Sequence, residues 1–334
     1  MRVRTRPGHA RLGARLWAWL GTGLAAWLGA SLAPAAPAAQ QVPVFRGGVD
    51  LVSLGVTVTD RKGNLLTDLT SDEFEIYEDG KKQSIRFFSR GPTADAGATG
   101  PKETGAERSP GDPETHLGLL LDVSESMGED IAFTKTAAIK FLNRLLEAID
   151  ITVVDFDTQV RVTRYDQSEF ARLIERIRLK KASGFTALYD AIGVYLDGAA
   201  GQDGRKVMLL YTDGGDTRSA IGWGDLLEVL KASDATIYVI GQLEHQSGST
   251  KNEQRMVLQQ IADATGGQAF FPVSVKELDS MYEKVLAEIR AQYTLGYHST
   301  NDKPDGTWRK VEVKVTRKAA RVRSRKGYFA LHKG

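Results

Sequence analysis

The chain has 334 residues, a length that exceeds one ordinary globular core and suits a targeting segment followed by two modest domains. Hydrophobic residues make up 42% and charged residues 26% of the chain, proportions that exclude a disordered polyelectrolyte and a bundle of membrane helices. The formal net charge is +2 and there is no cysteine, which excludes disulfide bonds and metal sites built on thiolates.

The first 39 residues have the features of a secretory signal peptide. Five arginines and no acidic residue occur in this segment, an apolar stretch runs from Leu16 to Leu32, and small residues up to Ala39 suit a signal peptidase. Without the segment, the formal charge changes from +2 to −3. The sequence therefore predicts export to the periplasm, the cell surface or the exterior, with a retained membrane anchor as the alternative. No second apolar run approaches about 20 residues, so no other membrane span is expected.

Residues 40–90 have the pattern of antiparallel strands. From Val52 to Val58, apolar and polar residues alternate with a period of two, which places one face of a strand on a core and the other in water. Asp79-Gly80 is a hairpin signal, and three or four strands are expected in this part. Residues 91–113 contain no large apolar side chain, which predicts a flexible linker.

Between residues 114 and 291, apolar strands alternate with amphipathic helices. The strands are almost continuous apolar runs, as in parallel strands that are covered on both faces. The predicted strands are Leu117–Leu121, Ile151–Phe156, Val207–Tyr211 and Thr236–Ile240, and the predicted helices are Glu129–Ala148, Glu169–Ile177, Leu188–Gly198, Trp223–Ala232, Glu253–Ala264 and Val275–Ala291. This alternation predicts an open, doubly wound α/β domain.

The chain returns to a β pattern in residues 292–334. Val311, Val313 and Val315 alternate with polar residues, as in a half-buried strand. A few strands at either end of the chain would bury too little apolar surface to be stable alone. We therefore predict that residues 40–90 and 292–334 form one discontinuous β domain, into which the α/β domain is inserted.

Oxygen-bearing side chains cluster in three loops of the predicted α/β domain. Asp122, Ser124 and Ser126 follow the first strand, Thr186 precedes the third helix, and Asp213 follows the third strand. In doubly wound folds the ligand crevice lies at the carboxyl ends of the strands, so these side chains are expected to converge. Hard oxygen donors suit Mg²⁺ and, less selectively, Ca²⁺ or Mn²⁺. The sequence therefore predicts a site for one divalent cation.

At these residues the sequence resembles the von Willebrand factor type A domain and its metal ion-dependent adhesion site. That site has the pattern Asp-x-Ser-x-Ser, then a Thr in a Gly-x-Thr-like loop and an Asp in a Thr-Asp-Gly turn; the whole chain further resembles secreted bacterial proteins with flanking β segments. The resemblance implies a Rossmann-like α/β domain. It also implies direct contacts to the ion from the hydroxyls of Ser124, Ser126 and Thr186, and contacts mainly through water from Asp122 and Asp213.

The preferred interpretation is an exported, non-enzymatic adhesion module. Neutral oxygens around the ion would leave it most of its positive charge, so it would bind an Asp or Glu carboxylate of a protein ligand. The common motifs of phosphate binding, zinc proteolysis and serine hydrolysis do not occur in the chain. Two alternatives stay open, a structural scaffold in which the ion stiffens the loops and a metal-dependent hydrolase. No nucleic-acid partner is expected.

The other conspicuous charged residues are interpreted as structural. Asp155 and Asp157 lie where one strand leads into the next and are expected to be turn residues, and Asp216 is expected to be a turn or cap residue. Residues 309–334 contain ten basic residues and one acid, a local charge of +9. A solvated strand face is expected there, with the binding of an anionic surface or polymer as the alternative.

Overall fold

A computed structural model describes residues 51–91, 114–144 and 148–330 of the chain. The expected signal peptide, residues 1–39, lies outside these ranges, as does almost all of the expected linker. All of the described residues belong to one compact unit, which begins at Gly48.

The described residues form fourteen β-strands and six α-helices. The strands are β1 (Leu51–Thr59), β2 (Phe74–Glu78), β3 (Lys81–Gln83), β4 (Ile85–Ser89), β5 (Thr115–Asp122), β6 (Ala148–Phe156), β7 (Val160–Asp166), β8 (Arg205–Thr212), β9 (Thr236–Gly241), β10 (Ala269–Phe270), β11 (Tyr293–His298), β12 (Trp308–Val315), β13 (Arg321–Arg323) and β14 (Gly327–Phe329). The helices are α1 (Ile131–Leu142), α2 (Phe170–Leu179), α3 (Leu188–Ala199), α4 (Trp223–Ala232), α5 (Gly248–Ala264) and α6 (Val275–Ala291). In the described part of the chain, no helix is both long and apolar enough to cross a membrane.

The α/β part is built on a six-stranded sheet in the order β10-β9-β8-β5-β6-β7. Its strands are parallel except for β7, which pairs with β6 in the antiparallel direction. Helices α1, α2 and α6 pack on one face, and α3, α4 and α5 pack on the other. The doubly wound α/β fold predicted from the sequence is confirmed. Its first strand, β5, lies between β8 and β6, where the strand order reverses.

Strand β5 contributes side chains to the apolar cores on both faces of the six-stranded sheet. Leu119 and Leu121 point to the helices of one face, whereas Leu120 points to the helices of the other. Gly118 allows a close approach of α3, because a Cβ atom at this position would lie 2.3 Å from the ring of Tyr195. The C-terminal half of α3, which carries Tyr195, therefore lies close against β5.

The two ends of the described chain combine in two antiparallel four-stranded sheets. The sheets have the orders β13-β1-β11-β4 and β14-β12-β2-β3, so each sheet combines two strands from each end of the described chain. Side chains from both sheets, including Val56, Ile76 and Tyr293, form a third apolar core. The predicted combination of the two β segments is therefore confirmed, in the form of two sheets packed face to face.

Two helix boundaries differ by more than two residues from the sequence-based expectation. Helix α1 ends at Leu142, whereas the expected helix reached Ala148. Ala148 instead begins β6 and pairs with Thr115 of β5, because tertiary contacts such as sheet pairing override intrinsic helix propensity, even that of alanine. Helix α5 begins at Gly248, five residues before the expected Glu253.

The basic C-terminal stretch is not a uniformly solvated face, which corrects the expectation. Arg309 is buried, and Arg323 forms an ion pair with Glu288 of α6. Arg325 donates a hydrogen bond to the backbone carbonyl of Ser53 at 2.8 Å. Part of the positive charge therefore connects structural elements, since arginine offers several fixed donors to carboxylates and carbonyls.

Candidate metal centre

Two buried carboxylates lie at the carboxyl ends of adjacent strands. Asp122 is the last residue of β5 and is 0% exposed, and Asp213 directly follows β8 and is 3% exposed. Burial and, to a lesser extent, the negative charge of Asp213 raise the pKa of Asp122 to about 7. The structure therefore places two of the predicted ligands close enough for their charges to interact.

The Asp-x-Ser-x-Ser segment forms a compact group of oxygens. Asp122 Oδ1 accepts hydrogen bonds from the backbone N–H of Ser124 at 3.0 Å and from its hydroxyl at 2.5 Å. The hydroxyl oxygens of Ser124 and Ser126 are 3.1 Å apart. Ser124 is buried and Ser126 is exposed, so the group extends from the end of β5 toward the protein surface.

Thr186 is attached through its backbone to the loop that follows Asp213. Its N–H donates to Thr217 Oγ1 at 2.9 Å, and its carbonyl accepts hydrogen bonds from the N–H groups of Thr217 at 2.9 Å and Arg218 at 3.0 Å. These bonds connect the Thr186 loop to the loop that follows Asp213. The Thr186 side chain lies in a buried position, with the residue only 4% exposed.

The loop that precedes Thr186 is also bonded to the segment that follows β5. Ser183 donates its N–H to the carbonyl of Val123 at 2.8 Å, and Glu125 donates its N–H to the carbonyl of Gly184 at 2.9 Å. The three loops that carry the predicted ligands are therefore held together by backbone hydrogen bonds. A side-chain substitution can therefore remove a predicted metal-ligating oxygen without removing these backbone hydrogen bonds.

Among the described residues, only uncharged groups donate hydrogen bonds to the two carboxylates. Asp122 Oδ2 accepts from Thr212 Oγ1 at 2.6 Å, and Asp213 Oδ2 accepts from Gln246 Nε2 at 3.1 Å. Asp213 Oδ1 accepts a long bond of 3.4 Å from the N–H of Gly215. Buried carboxylates are normally compensated by a cation, and here the hydrogen bonds provide none.

The donor set fits a divalent cation with oxygen ligands. Two carboxylates and three hydroxyls offer hard oxygens of the kind that Mg²⁺ prefers. Across the described ranges, no group of three or more His, Asp or Glu side chains is placed to hold a metal ion. Serine and threonine hydroxyls are therefore needed to complete a coordination shell at this position.

Two supporting residues were not among the predicted ligands. Thr212 precedes Asp213 in the Thr-Asp-Gly turn, so its place in that motif was available as a signal. Gln246 lies between β9 and α5, and no local pattern indicates its contact with Asp213. Asp216, which was expected to be a turn or cap residue, accepts a hydrogen bond from the N–H of Tyr189 in the first turn of α3.

Asp155 is not a turn residue, which corrects the expectation. It lies within β6, its side chain is completely buried, and it forms ion pairs with Arg161 at 2.8 Å, Arg176 at 2.9 Å and Lys180 at 2.6 Å. Strand β6 continues past this residue because it pairs with β5 as far as Phe156. The three basic side chains compensate for the buried negative charge.

Asp157 lies after β6, in the turn where it was expected. Its carboxylate accepts hydrogen bonds from Arg161 at 3.1 and 2.6 Å. Its backbone carbonyl accepts from the N–H of Ala187 at 2.9 Å, directly beside Thr186. The β6–β7 turn therefore supports the Thr186 loop from the side opposite to Asp213's loop.

The sequence profile described as "von Willebrand factor type A domain" matches residues 116–284, slightly more than half of the chain. The chain belongs to the von Willebrand factor type A domain family. No curated protein matches it.

Several solved structures are similar to the chain. A von Willebrand factor type A protein from Catenulispora acidiphila has a TM-score of 0.45 and 18% identity, and the match covers 66% of this chain and 56% of that chain. An aerotolerance-related membrane protein from Bacteroides fragilis, with multiple mutations to serines, has a TM-score of 0.42 and 17% identity, and the match covers 53% of this chain and 98% of that chain. The von Willebrand factor domain of the type V pilus tip protein Mfa5 from Porphyromonas gingivalis has a TM-score of 0.40 and 12% identity, and the match covers 53% of this chain and 97% of that chain. The match to the Catenulispora protein thus spans little more than half of that structure's length.

Proposed function

We propose that this protein is an exported, non-enzymatic adhesion module that binds one Mg²⁺ ion and captures a carboxylate of a protein partner. One observation carries the proposal: two buried carboxylates, Asp122 and Asp213, lie at adjacent strand ends and, within the part of the chain that the structure describes, receive hydrogen bonds only from uncharged groups. A divalent cation would compensate for both charges. The signal-like N-terminal segment supports export.

Five residues would hold the ion, with Ser124, Ser126 and Thr186 in direct contact and Asp122 and Asp213 acting mainly through water. When bound, Mg²⁺ would supply a positively charged coordination position for an anionic oxygen of the partner. Asp122 prepares the Ser124 hydroxyl for this role, because Asp122 Oδ1 accepts a hydrogen bond from Ser124 Oγ–H and leaves the lone pairs of the hydroxyl oxygen available. The buried environment strengthens the attraction between the site and a cation.

The metal part of the proposal is tested by titrating the purified mature protein with MgCl₂ in a calorimeter. We expect one binding site in the wild type, and we expect Asp122→Ala and Asp213→Ala each to abolish it. Glu228→Ala is the matched control, because it removes one negative charge from the exposed surface of α4. Saturable binding that persists in both aspartate variants would refute the assignment. Retained circular dichroism in each variant would show that the fold had not been lost.

A further inference from the structure

An exposed aromatic side chain lies directly beside the predicted ligand Thr186. Phe185 is 64% exposed. Over the ranges that the structure describes, it is the only exposed Phe, Tyr or Trp side chain. Isolated exposed aliphatic residues are common on protein surfaces, but a phenyl ring in water at the edge of a candidate binding site calls for a physical reason.

The loop that carries this ring is held firmly by its backbone. The N–H of Phe185 donates to Thr158 Oγ1 at 2.9 Å, and the carbonyl of Gly184 accepts from the N–H of Glu125 at 2.9 Å. Gly184 has a φ of +80°, and a Cβ atom there would lie 2.6 Å from the hydroxyl oxygen of Thr158. Only glycine fits this tight, left-handed position. The Phe185 ring therefore projects from an ordered loop.

The loop does not need a phenylalanine at this position. The hydrogen bonds that hold residues 183–187 use the N–H and carbonyl groups of the loop's own backbone. The N–H of Phe185, for example, donates to the side chain of Thr158. A small polar residue would preserve the same bonds. The exposed ring becomes favourable only when another apolar surface covers it.

We infer that Phe185 is a specificity-determining contact, which packs against an apolar side chain adjacent to the captured carboxylate of the partner. The inference rests on the proposed function, because it assumes that a carboxylate approaches beside Thr186. The partner segment would then contain an Asp or Glu flanked by a large apolar residue. Glu125, which is exposed and bonded to the same loop, would disfavour a second acidic residue there.

The test uses biotinylated peptides at high density on a streptavidin sensor, so that weak contacts are measurable through avidity. The probes are Gly-Ser-Leu-Asp-Leu-Ser-Gly, the same peptide with both leucines replaced by glycine, and the leucine peptide with Asn in place of Asp. Each is measured with the full mature protein in MgCl₂ and in EDTA. The protein variants are Phe185→Ser, Phe185→Leu and Met256→Ser, the last being a control because Met256 on α5 is similarly exposed at 62%.

For the wild type we expect capture of the Leu-Asp-Leu peptide in MgCl₂ and loss of capture in EDTA or with the Asn peptide. Phe185→Ser should weaken this capture about tenfold, since burying such a ring is worth at least a factor of ten. Phe185→Leu should retain most of it, and Met256→Ser should have no effect. The Gly-Asp-Gly peptide should bind weakly to all variants.

The inference and the proposed function fail in different ways. If Phe185→Ser binds Mg²⁺ in the calorimeter and captures the leucine peptide as well as the wild type does, the role of Phe185 is overturned and the adhesion proposal stands. Equal capture of the glycine and leucine peptides by the wild type would have the same meaning. If the wild type binds Mg²⁺ but captures no Asp peptide, carboxylate capture itself is wrong. If Phe185→Ser loses Mg²⁺ binding while Phe185→Leu keeps it, the ring supports the loop, and the specificity role is also overturned.

Discussion

The hydroxyl of Thr212, the last residue of β8, donates a hydrogen bond of 2.6 Å to the carboxylate oxygen Oδ2 of Asp122, the last residue of β5. The same Thr212 oxygen accepts the N–H of Gly214, in the turn that carries Asp213. The buried hydroxyl of Thr212 thus orients the carboxylate of Asp122 and stabilises the turn that presents Asp213. This relationship makes Thr212 a positioning residue for both acids.

Replacing Thr212 by valine tests this positioning role. Thr212→Val keeps the shape of the side chain but removes the hydrogen bond to Asp122. A hydrogen bond to a charged group contributes about 1.5 kcal/mol or more, so we expect the Kd for Mg²⁺ to rise about tenfold. Calorimetric titration measures the change, and Thr212→Ser, which restores the hydroxyl, is the control. An unchanged Kd in the valine variant would show that Thr212 has no influence on the site.

The contribution of the ion to partner binding can be separated from that of the basic C-terminal stretch. Thr186→Ala removes a predicted ligand and leaves the protein's charge unchanged. We expect it to abolish capture of the Leu-Asp-Leu peptide, as EDTA does. Attraction to exposed basic residues would instead decline with salt, because such charges are screened beyond about 10 Å at 0.1 M. Capture that survives EDTA and Thr186→Ala but disappears at moderate salt would identify the basic stretch as the binding surface.

A buried carboxylate connects the two β sheets. Glu78 on β2 is buried, and its Oε2 accepts hydrogen bonds from Tyr297 on β11 at 2.8 Å and from Tyr328 on β14 at 3.0 Å. Tyr297→Phe should lower the free energy of unfolding by about 1–3 kcal/mol, because the buried oxygen Glu78 Oε2 loses one of its two hydrogen-bond donors. Urea denaturation measures this loss. The Mg²⁺ affinity should not change, since Tyr297 belongs to the β part of the fold.

Asp155 should contribute to the loss of stability in acid. Burial would raise its pKa, but the bonds from Lys180 and Arg161 and the charge of Arg176 outweigh burial and hold the pKa below 3.8. A lowered pKa in the folded state stabilises the protein above the unfolded pKa, and this contribution is lost as the pH falls through the folded pKa. The contribution of Asp155 to the urea midpoint should therefore be lost as the pH falls below 3.8. Asp155→Asn should be less stable at neutral pH and show a flatter decline, whereas an unchanged pH profile would contradict this role.

Local sequence patterns were sufficient to predict several strands and helices and the Asp-x-Ser-x-Ser motif. The apolar run of β5 and the helical periods of α4 and α6 predict those elements, and the predicted bounds of α4 and α6 agree with the structure. The Asp-x-Ser-x-Ser segment is recognisable for the same reason, because its residues are neighbours in the chain and follow one strand. Such features depend on contacts within a few residues, and the sequence by itself determines them.

Only the tertiary structure decided the features that depend on distant residues. Leu54 pairs with Leu295, Gln246 contacts Asp213, and three basic side chains from β7 and the α2 region surround Asp155. None of these contacts has a periodic signal, because each is selected by the burial and charge compensation that arise when separate elements pack together. Asp155 resembles a turn residue in the sequence and becomes a buried ion pair in the fold. Phe185 has an apolar side chain, and the loop geometry places it in water.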